Sequence, residues 1–143
     1  MLEEKHIEAL REVHETIEEA VKDPRGILPR QRRVMTMLSL GTAHLVELYF
    51  HRLHAIHPGM QIKHEWFGSE SRRLRLHLAG LLTKNLEKLP QAEKILELAH
   101  EIELKRNDVV YGIALKNDIL LKEKLELFFE LKKIIEIATG EIK

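Results

Sequence analysis

Apolar side chains recur every three or four positions through residues 2–22, and charged side chains fill most of the positions between them. This spacing places the apolar side chains along one side of a helix, so it predicts an amphipathic first helix. The sequence Asp-Pro-Arg-Gly at 23–26 interrupts the pattern. Proline lacks an amide hydrogen and glycine tolerates the backbone of a turn, so the first helix is expected to end there.

The second helix is predicted to run from Pro29 to about Ile56, and it is apolar around most of its circumference. Proline suits the first position of a helix, where its missing amide hydrogen is not needed. A helix that is apolar on most sides normally lies in the middle of a bundle. The sequence His-Pro-Gly at 57–59 is expected to end this helix.

Three further helices are predicted in the second half of the chain. They start near Ser69, at Pro90 and near Leu120, and the last is expected to stop at Gly140. No stretch alternates apolar and polar residues between turn signals, as a half-buried strand would. The pattern therefore predicts an all-α fold, an up-and-down bundle of about five helices, with residues 1–143 forming a single helical-bundle domain.

Composition excludes several kinds of site. The 143 residues contain no cysteine, which rules out disulfides, thiolate metal ligands and cysteine nucleophiles. The 23 basic and 23 acidic side chains balance, so no net charge draws the chain to nucleic acid or to a membrane. No apolar run reaches the roughly 18 residues that a bilayer span requires. Because the first residues also lack the apolar core of a signal peptide, we expect a cytoplasmic protein without membrane association.

The polar residues of the second helix fall within a band roughly 80° wide when successive residues are about 100° apart. The band contains Arg33, Thr36, His44, Glu47, His51 and His54. His44, Glu47 and His51 stack along one line because they follow i, i+3, i+7 spacing. Neutral imidazoles and a carboxylate are ligands for zinc or iron. The band is therefore either the side of the helix that meets water, a polar functional cleft, or a metal site.

A metal site with more ligands would need residues from another helix. Glu97 and His100 have the Glu-x-x-His spacing of di-iron bundles. They lie opposite the apolar face of the fourth helix, so we expect them to face solvent. No metal or other cofactor is therefore predicted, and a metal-binding bundle is kept as an alternative.

An arginine stands where the apolar face of the fourth helix would continue. Arg106 follows the apolar Ile102 by four residues. Because a guanidinium is rarely buried unpaired, Arg106 either lies at the rim of the core with its charge in water or projects into a cleft toward Glu47, a phosphate or a substrate. Asn107 and Asp108 favour the end of a helix, because their side chains compete for backbone groups.

These residues resemble the motif of the HEPN superfamily of helical-bundle domains, in which an arginine and a histidine are separated by a few residues. Arg106 and Asn107 match the start of that motif, and Tyr111 stands at the position of the histidine. The second-helix segment 41–53 is similar to the helix that presents a polar residue into the cleft of such domains. Glu47 is the candidate for that polar residue.

The resemblance extends over about residues 30–138 and implies a bundle that usually forms dimers. Active members of the superfamily are metal-independent ribonucleases. Other members pair with nucleotidyltransferases in toxin–antitoxin systems or bind nucleotides without catalysis. The resemblance therefore implies a HEPN-like domain that binds nucleotide, RNA or a nucleotidyltransferase partner. The alternatives are a metal-independent ribonuclease of the same superfamily and a metal-binding or purely structural helical bundle.

By this resemblance the candidate catalytic residues are Arg106, Tyr111 and Glu47, and the candidate ligand-binding residues are Arg106, Asn107, Asp108, His44 and His51. Tyrosine, with an ordinary pKa of about 10, is a poor base for the 2′-hydroxyl proton of RNA at neutral pH. Arg106 can still hold a phosphate. Tyr111 therefore favours ligand binding over cleavage, unless His44 or His51 supplies the base.

Two surface features bear on partners. Basic clusters at 30–33 and 72–75 lie near predicted helix starts, where cations oppose the helix dipole, and they are either solvated surfaces or sites for RNA phosphates. Leu127, Ile134 and Ile137 lie off the inner face of the last helix. They indicate either a homodimer interface or burial of that helix on two sides.

Overall fold

The computed structural model describes residues 3–143, which form six α-helices and three short 3-10 turns. The helices are α1 (Glu3–Lys22), α2 (Gln31–Arg52), α3 (Ser71–Ala79), α4 (Ala92–Glu103), α5 (Arg106–Tyr111) and α6 (Ile119–Thr139), and the turns span Leu28–Arg30, His64–Gly68 and Leu86–Lys88. These residues contain no β-strand, only a single antiparallel bridge between Ile56 and Leu82. Because α5 has only six residues and the others have nine or more, the predicted all-α bundle of about five helices is confirmed.

α2 lies at the centre of the bundle and packs against α1, α4, α5 and α6. Its residues from Val34 to Phe50 are buried on nearly every side. Gly41 permits a close approach of the neighbouring helices, because a Cβ atom there would lie 2.8 Å from the ring of Phe128 on α6 and 3.0 Å from Val13 on α1. The apolar circumference of α2 therefore reflects packing partners on several sides.

α2 ends at Arg52, before the predicted end at Ile56. His54 has a left-handed backbone with φ of 54°, a conformation that commonly ends helices. The chain beyond it pairs with the segment that follows α3, where the amide of His57 donates a hydrogen bond of 3.0 Å to the carbonyl of Leu81. Tertiary pairing thus replaces the last helical turn that the sequence pattern predicts.

α4 ends at Glu103, and a new helix, α5, begins at Arg106. Between them Lys105 has a left-handed backbone with φ of 65°. The prediction that Arg106 continues the apolar face of the fourth helix is therefore wrong. The left-handed Lys105 breaks the helical register between Ile102 and Arg106. The face itself is confirmed, since its residues Ile95, Leu98, Ala99 and Ile102 are all buried.

α1 presents one buried side to the rest of the bundle, formed by His6, Leu10, Val13, Ile17 and Ala20. His6 belongs to this side because it precedes Leu10 by four residues, which places both side chains along one line of the helix. A fully buried histidine at such a position needs polar neighbours, and α2 supplies them.

α6 packs against α2 and α4. Of the apolar residues off its inner face, Leu127 and Ile134 are half-buried whereas Ile137 is exposed. The apolar surface of α6 is thus covered in part within the chain, and the homodimer stays a prediction. None of the helices formed by residues 3–143 combines the length and the apolar character that crossing a bilayer requires.

Candidate functional site

Four polar side chains meet where α1 packs against α2. They are His6, His44, Glu47 and His51, which we call the histidine–glutamate cluster. The three α2 residues share one side of that helix through their i, i+3, i+7 spacing, and His6 meets them from the buried side of α1. The regular geometry of two long helices therefore builds this cluster.

His6 lies at the centre of the cluster and is fully buried. Its Nδ1 atom lies 3.0 Å from Nδ1 of His44, so that one ring donates a hydrogen bond to the other. Its Nε2 atom lies 3.3 Å from Oε2 of Glu47. The centroid of the His51 ring is 5.2 Å from that of His6. His6 thus adjoins each of the other three side chains.

Glu47 is 4% exposed, although it belongs to the polar band of α2. Its Oε1 atom accepts a hydrogen bond from the amide of Ile62. Burial raises the pKa of Glu47, because the charged carboxylate loses hydration, and the hydrogen bond from Ile62 opposes that rise. The interpretation that the band simply meets water is therefore wrong at this position.

Burial favours the neutral form of the three histidines of the cluster. Burial, followed by the charges of His44 and His51, lowers the pKa of His6 to about 4. Burial also lowers the pKa of His44 and that of His51. Neutral imidazole is the form that coordinates metals. His6, Glu47 and His51 each offer one ligand atom, and these atoms lie within 4.8 Å of one another.

A second polar region lies at the junction of α4 and α5. It is a groove of about 470 Å³, which we call the Arg106 groove. Its charged and titratable lining residues are His64, Glu65, Arg73, Glu103, Lys105, Arg106 and Asp108. These residues come from α3, α4, α5, the 3-10 turn at 64–68 and the α4–α5 turn, so the groove depends on how separate segments pack.

Arg106 is half-buried in this groove. One of its terminal nitrogens donates a hydrogen bond of 3.0 Å to Oδ1 of Asn107. Its Nε atom is buried and has no hydrogen-bond partner in the part of the chain that the structure describes. A guanidinium carries several N–H donors in a planar fork. Arg106 therefore retains N–H groups that can donate hydrogen bonds to an anion in the groove.

Glu103 is the buried carboxylate of the groove. Its Oε2 atom accepts a hydrogen bond of 2.7 Å from the hydroxyl of Ser39, and its Oε1 atom lies 2.8 Å from Nδ1 of His64. The other ring nitrogen of His64 lies 3.5 Å from Glu65. A histidine whose Nδ1 faces a carboxylate has a fixed ring orientation, which is the arrangement of a positioned general base.

No family model, curated protein or solved structure matches the chain. The resemblance to the HEPN superfamily therefore depends on its motif residues. Arg106, Asn107 and Asp108 line the groove. Tyr111 ends α5 and is 78% exposed, and it is not among the residues that line the groove.

Arg106 and Glu47 line separate cavities. Glu47 and His44 line a cavity of about 390 Å³ formed by α2 and the segment 61–65. This cavity adjoins the Arg106 groove, because His64 and Glu65 line both. The buried carboxylate that shares a groove with Arg106 is that of Glu103, and Glu47 adjoins His6 instead.

Sequence reasoning missed three residues of these two regions. His6 carries a usable signal, because it precedes Leu10 by four residues on the apolar side of α1. Glu103 carries the same kind of signal, since it follows Ala99 by four residues. His64 lies in a connecting segment without periodicity, and its place in the groove follows only from the tertiary structure.

Proposed function

We propose that the Arg106 groove binds a phosphate-bearing ligand, either a nucleotide or a segment of RNA, in the manner expected of a HEPN-like domain. The observation that carries this proposal is the half-buried guanidinium of Arg106, whose Nε atom is buried without an acceptor among residues 3–143. Buried donors are normally satisfied, because leaving one unpaired costs roughly 1–3 kcal/mol. A phosphate oxygen supplies the missing acceptor and matches the planar fork of the guanidinium.

The balance of paired and unpaired charges supports an anionic ligand. Arg73, Lys105 and Arg106 form no ion pair with any residue in 3–143. Two of the three carboxylates in the groove, Glu65 and Glu103, lie against His64. The cations therefore remain available, while most of the negative charge is already engaged. The volume of about 470 Å³ also falls in the range of small-ligand sites.

Binding is tested by fluorescence anisotropy with a labelled adenine nucleotide and with a short labelled single-stranded RNA. Arg106→Ala is expected to lower affinity about 10- to 100-fold, which corresponds to the loss of a charge-assisted hydrogen bond. Arg106→Lys keeps the charge but loses the fork, so an intermediate loss is expected. Circular dichroism verifies that each variant folds.

The neighbouring arginines of α3 provide a matched control. Arg73 lines the groove, whereas Arg72 is exposed and does not line it. Arg73→Ala should weaken binding and Arg72→Ala should leave it within about twofold, a change expected from a distant charge that salt screens. Equal affinity of the native protein and Arg106→Ala for both probes would remove the groove as the binding site.

A second candidate function, metal-independent RNA cleavage, is favoured by the pairing of His64 with Glu103. With Nδ1–H donating to Glu103, Nε2 of His64 accepts the 2′-hydroxyl proton as the 2′-oxygen attacks phosphorus. The 5′-oxygen then leaves and takes a proton from solvent, while Arg106 balances the charge on the phosphate. In this proposal His64, rather than Tyr111, takes the place of the missing histidine.

Cleavage is tested by incubating the protein with bulk RNA in the presence of a chelator. His64→Gln should abolish cleavage, and His57→Gln, which changes an exposed histidine outside the groove, should not. Intact RNA over a wide pH range would contradict cleavage and leave phosphate binding as the only proposed function.

Three statements about partners stay predictions: the homodimer, the nucleotidyltransferase partner and the role in a toxin–antitoxin pair. Light scattering of the purified protein tests the homodimer.

A further inference from the structure

We propose that His6, Glu47 and His51 bind one divalent transition-metal cation, such as Zn²⁺, at the contact between α1 and α2. This site is separate from the Arg106 groove, and the inference goes beyond the phosphate-binding function. Two histidine nitrogens and one carboxylate are a ligand set used for zinc and for non-haem iron, with further positions left for water or substrate.

Two buried nitrogen atoms point to a ligand. The Nε2 atoms of His6 and His51 are buried, and neither has a hydrogen-bond partner among residues 3–143. Nε2 of His6 lies 3.3 Å from a carboxylate oxygen of Glu47, yet the two atoms do not form a hydrogen bond. Buried polar atoms without partners are uncommon in folded proteins. A cation bound between these side chains accepts a lone pair from each and gives all three a partner.

The spacing of the ligand atoms suits a site that closes around its ion. One ligand atom from each of the three residues lies within 4.8 Å of the others. Bond lengths of about 2.0–2.1 Å in a tetrahedral zinc site place ligand atoms about 3.3 Å apart. The side chains therefore need to move together by about an ångström on binding, within the range of a small change in their torsion angles.

Neighbouring groups hold two of the proposed ligands from their outer sides. His44 shares a hydrogen bond of 3.0 Å with Nδ1 of His6. When Nδ1 of His6 carries the proton and donates it to His44, Nε2 has a free lone pair directed away from that bond. The amide of Ile62 holds the other oxygen of Glu47. Metal-ligating histidines and carboxylates normally have such outer partners, which fix their orientation.

α2 and the segment 61–65 also provide an approach to the site. Glu47 and His44 line the cavity of about 390 Å³ beside the segment 61–65, so one edge of the cluster adjoins solvent-accessible space. His6 is fully buried and His51 is half-buried, which keeps most of the cluster out of water. An ion can therefore reach the cluster through this cavity, past His44 and Glu47.

The test uses untagged protein that has been dialysed against a chelator and then titrated with Zn²⁺ by isothermal calorimetry. We expect one ion per chain. Glu47→Gln and His51→Gln should each lower the affinity for Zn²⁺ at least about tenfold, because each removes a ligand. His14→Gln, on the same helix as His6 but paired with Glu18, is the matched control and should bind as the native protein does.

Co²⁺ provides an independent readout, because its visible absorption reports bound nitrogen and oxygen ligands. Circular dichroism identifies any variant that fails to fold, and the half-buried His51 is the proposed ligand whose replacement should disturb folding least. Folded native protein that binds no stoichiometric Zn²⁺ would overturn the proposal. So would Glu47→Gln and His51→Gln variants that bind it with unchanged affinity. Arg106→Ala should retain Zn²⁺ whatever its effect on nucleotide binding, so failure at one site is distinguishable from failure at the other.

Discussion

The histidine–glutamate cluster and the Arg106 groove are two polar regions of one helical bundle, and they are built in opposite ways. The cluster lies between the two long helices α1 and α2, and its central histidine is fully buried. The groove lies at a break between α4 and the six-residue α5, and its cations adjoin open space. Regular packing of helices creates the first region, and interruption of a helix creates the second.

The difference in burial decides the charge of each region. Burial lowers the pKa of the three histidines and raises that of Glu47, which favours the neutral form of every group in the cluster. In the groove, Arg73 and Lys105 are exposed and Arg106 is half-buried, so these cationic side chains keep more contact with water than the cluster does. Neutral imidazoles with free lone pairs suit a metal cation, and a groove with unpaired cations suits an anion.

The largest expected difference between the two regions is that the histidine–glutamate cluster makes the free energy of unfolding depend on pH. The pKa of His6 is lowered from 6.5 to about 4 in the folded state. Between these values the unfolded chain takes up a proton that the folded protein does not, so stability falls as the pH falls. At about 1.4 kcal/mol per pH unit, His6 alone contributes a loss of roughly 3 kcal/mol. His44 and His51 add to this loss, and the raised pKa of Glu47 opposes it.

Urea denaturation of chelator-treated protein at pH 7.5 and at pH 4.5 measures this loss. His6→Gln should flatten the dependence of stability on pH, and His57→Gln, which changes an exposed histidine outside the cluster, serves as the control. Nuclear magnetic resonance of the histidine rings gives a second measurement, in which His6 should titrate well below pH 6.5. A normal titration midpoint for His6 would show that the cluster is open to water.

The next largest effect is stabilisation by Zn²⁺. A ligand that binds only the folded state at a concentration 100 times its dissociation constant adds about 2.7 kcal/mol to the free energy of unfolding. The native protein and Arg106→Ala should both show this gain in thermal denaturation, and Glu47→Gln should not. An equal gain in Glu47→Gln would mean that Zn²⁺ binds elsewhere on the surface.

Removal of Glu103, the buried carboxylate of the groove, should have an intermediate effect on the free energy of unfolding. Glu103→Ala leaves the hydroxyl of Ser39 and Nδ1 of His64 without their acceptor, which should lower the free energy of unfolding by about 2 kcal/mol. Glu103→Gln keeps one acceptor oxygen and should lose less. Glu97→Ala changes an exposed residue of the same helix and should have little effect in the same urea titration. Similar losses for Glu97→Ala and Glu103→Ala would contradict this assignment.

The smallest effect is expected at Tyr111. This residue is 78% exposed and lies outside the groove lining, so Tyr111→Ala should change the free energy of unfolding by less than about 0.5 kcal/mol. Its affinity for the nucleotide probe should match that of the native protein. A clear loss of nucleotide affinity in this variant would return Tyr111 to the site that the motif resemblance assigns to it.

The sequence determines the helical content and much of the core, because these depend on local periodicity. The inner face of α4 and the apolar circumference of α2 are visible as spacing alone and are buried in the structure. The i, i+3, i+7 alignment of His44, Glu47 and His51 is likewise a local property. The assignment of His6 to the buried side of α1 was within reach of the same reasoning, because it depends only on its distance from Leu10.

Only the tertiary structure decides which side chains from different segments meet. The left-handed backbone of Lys105 follows the end of α4 and separates Arg106 from the apolar face of that helix. The spacing of apolar residues does not predict such a break. The place of His64 beside Glu103, and of His6 beside Glu47, depends on how segments distant in sequence pack together. Helical spacing is set by residues a few positions apart, so it could be predicted from the sequence. Contacts between distant segments depend on the packing of the whole bundle, so they could not be predicted.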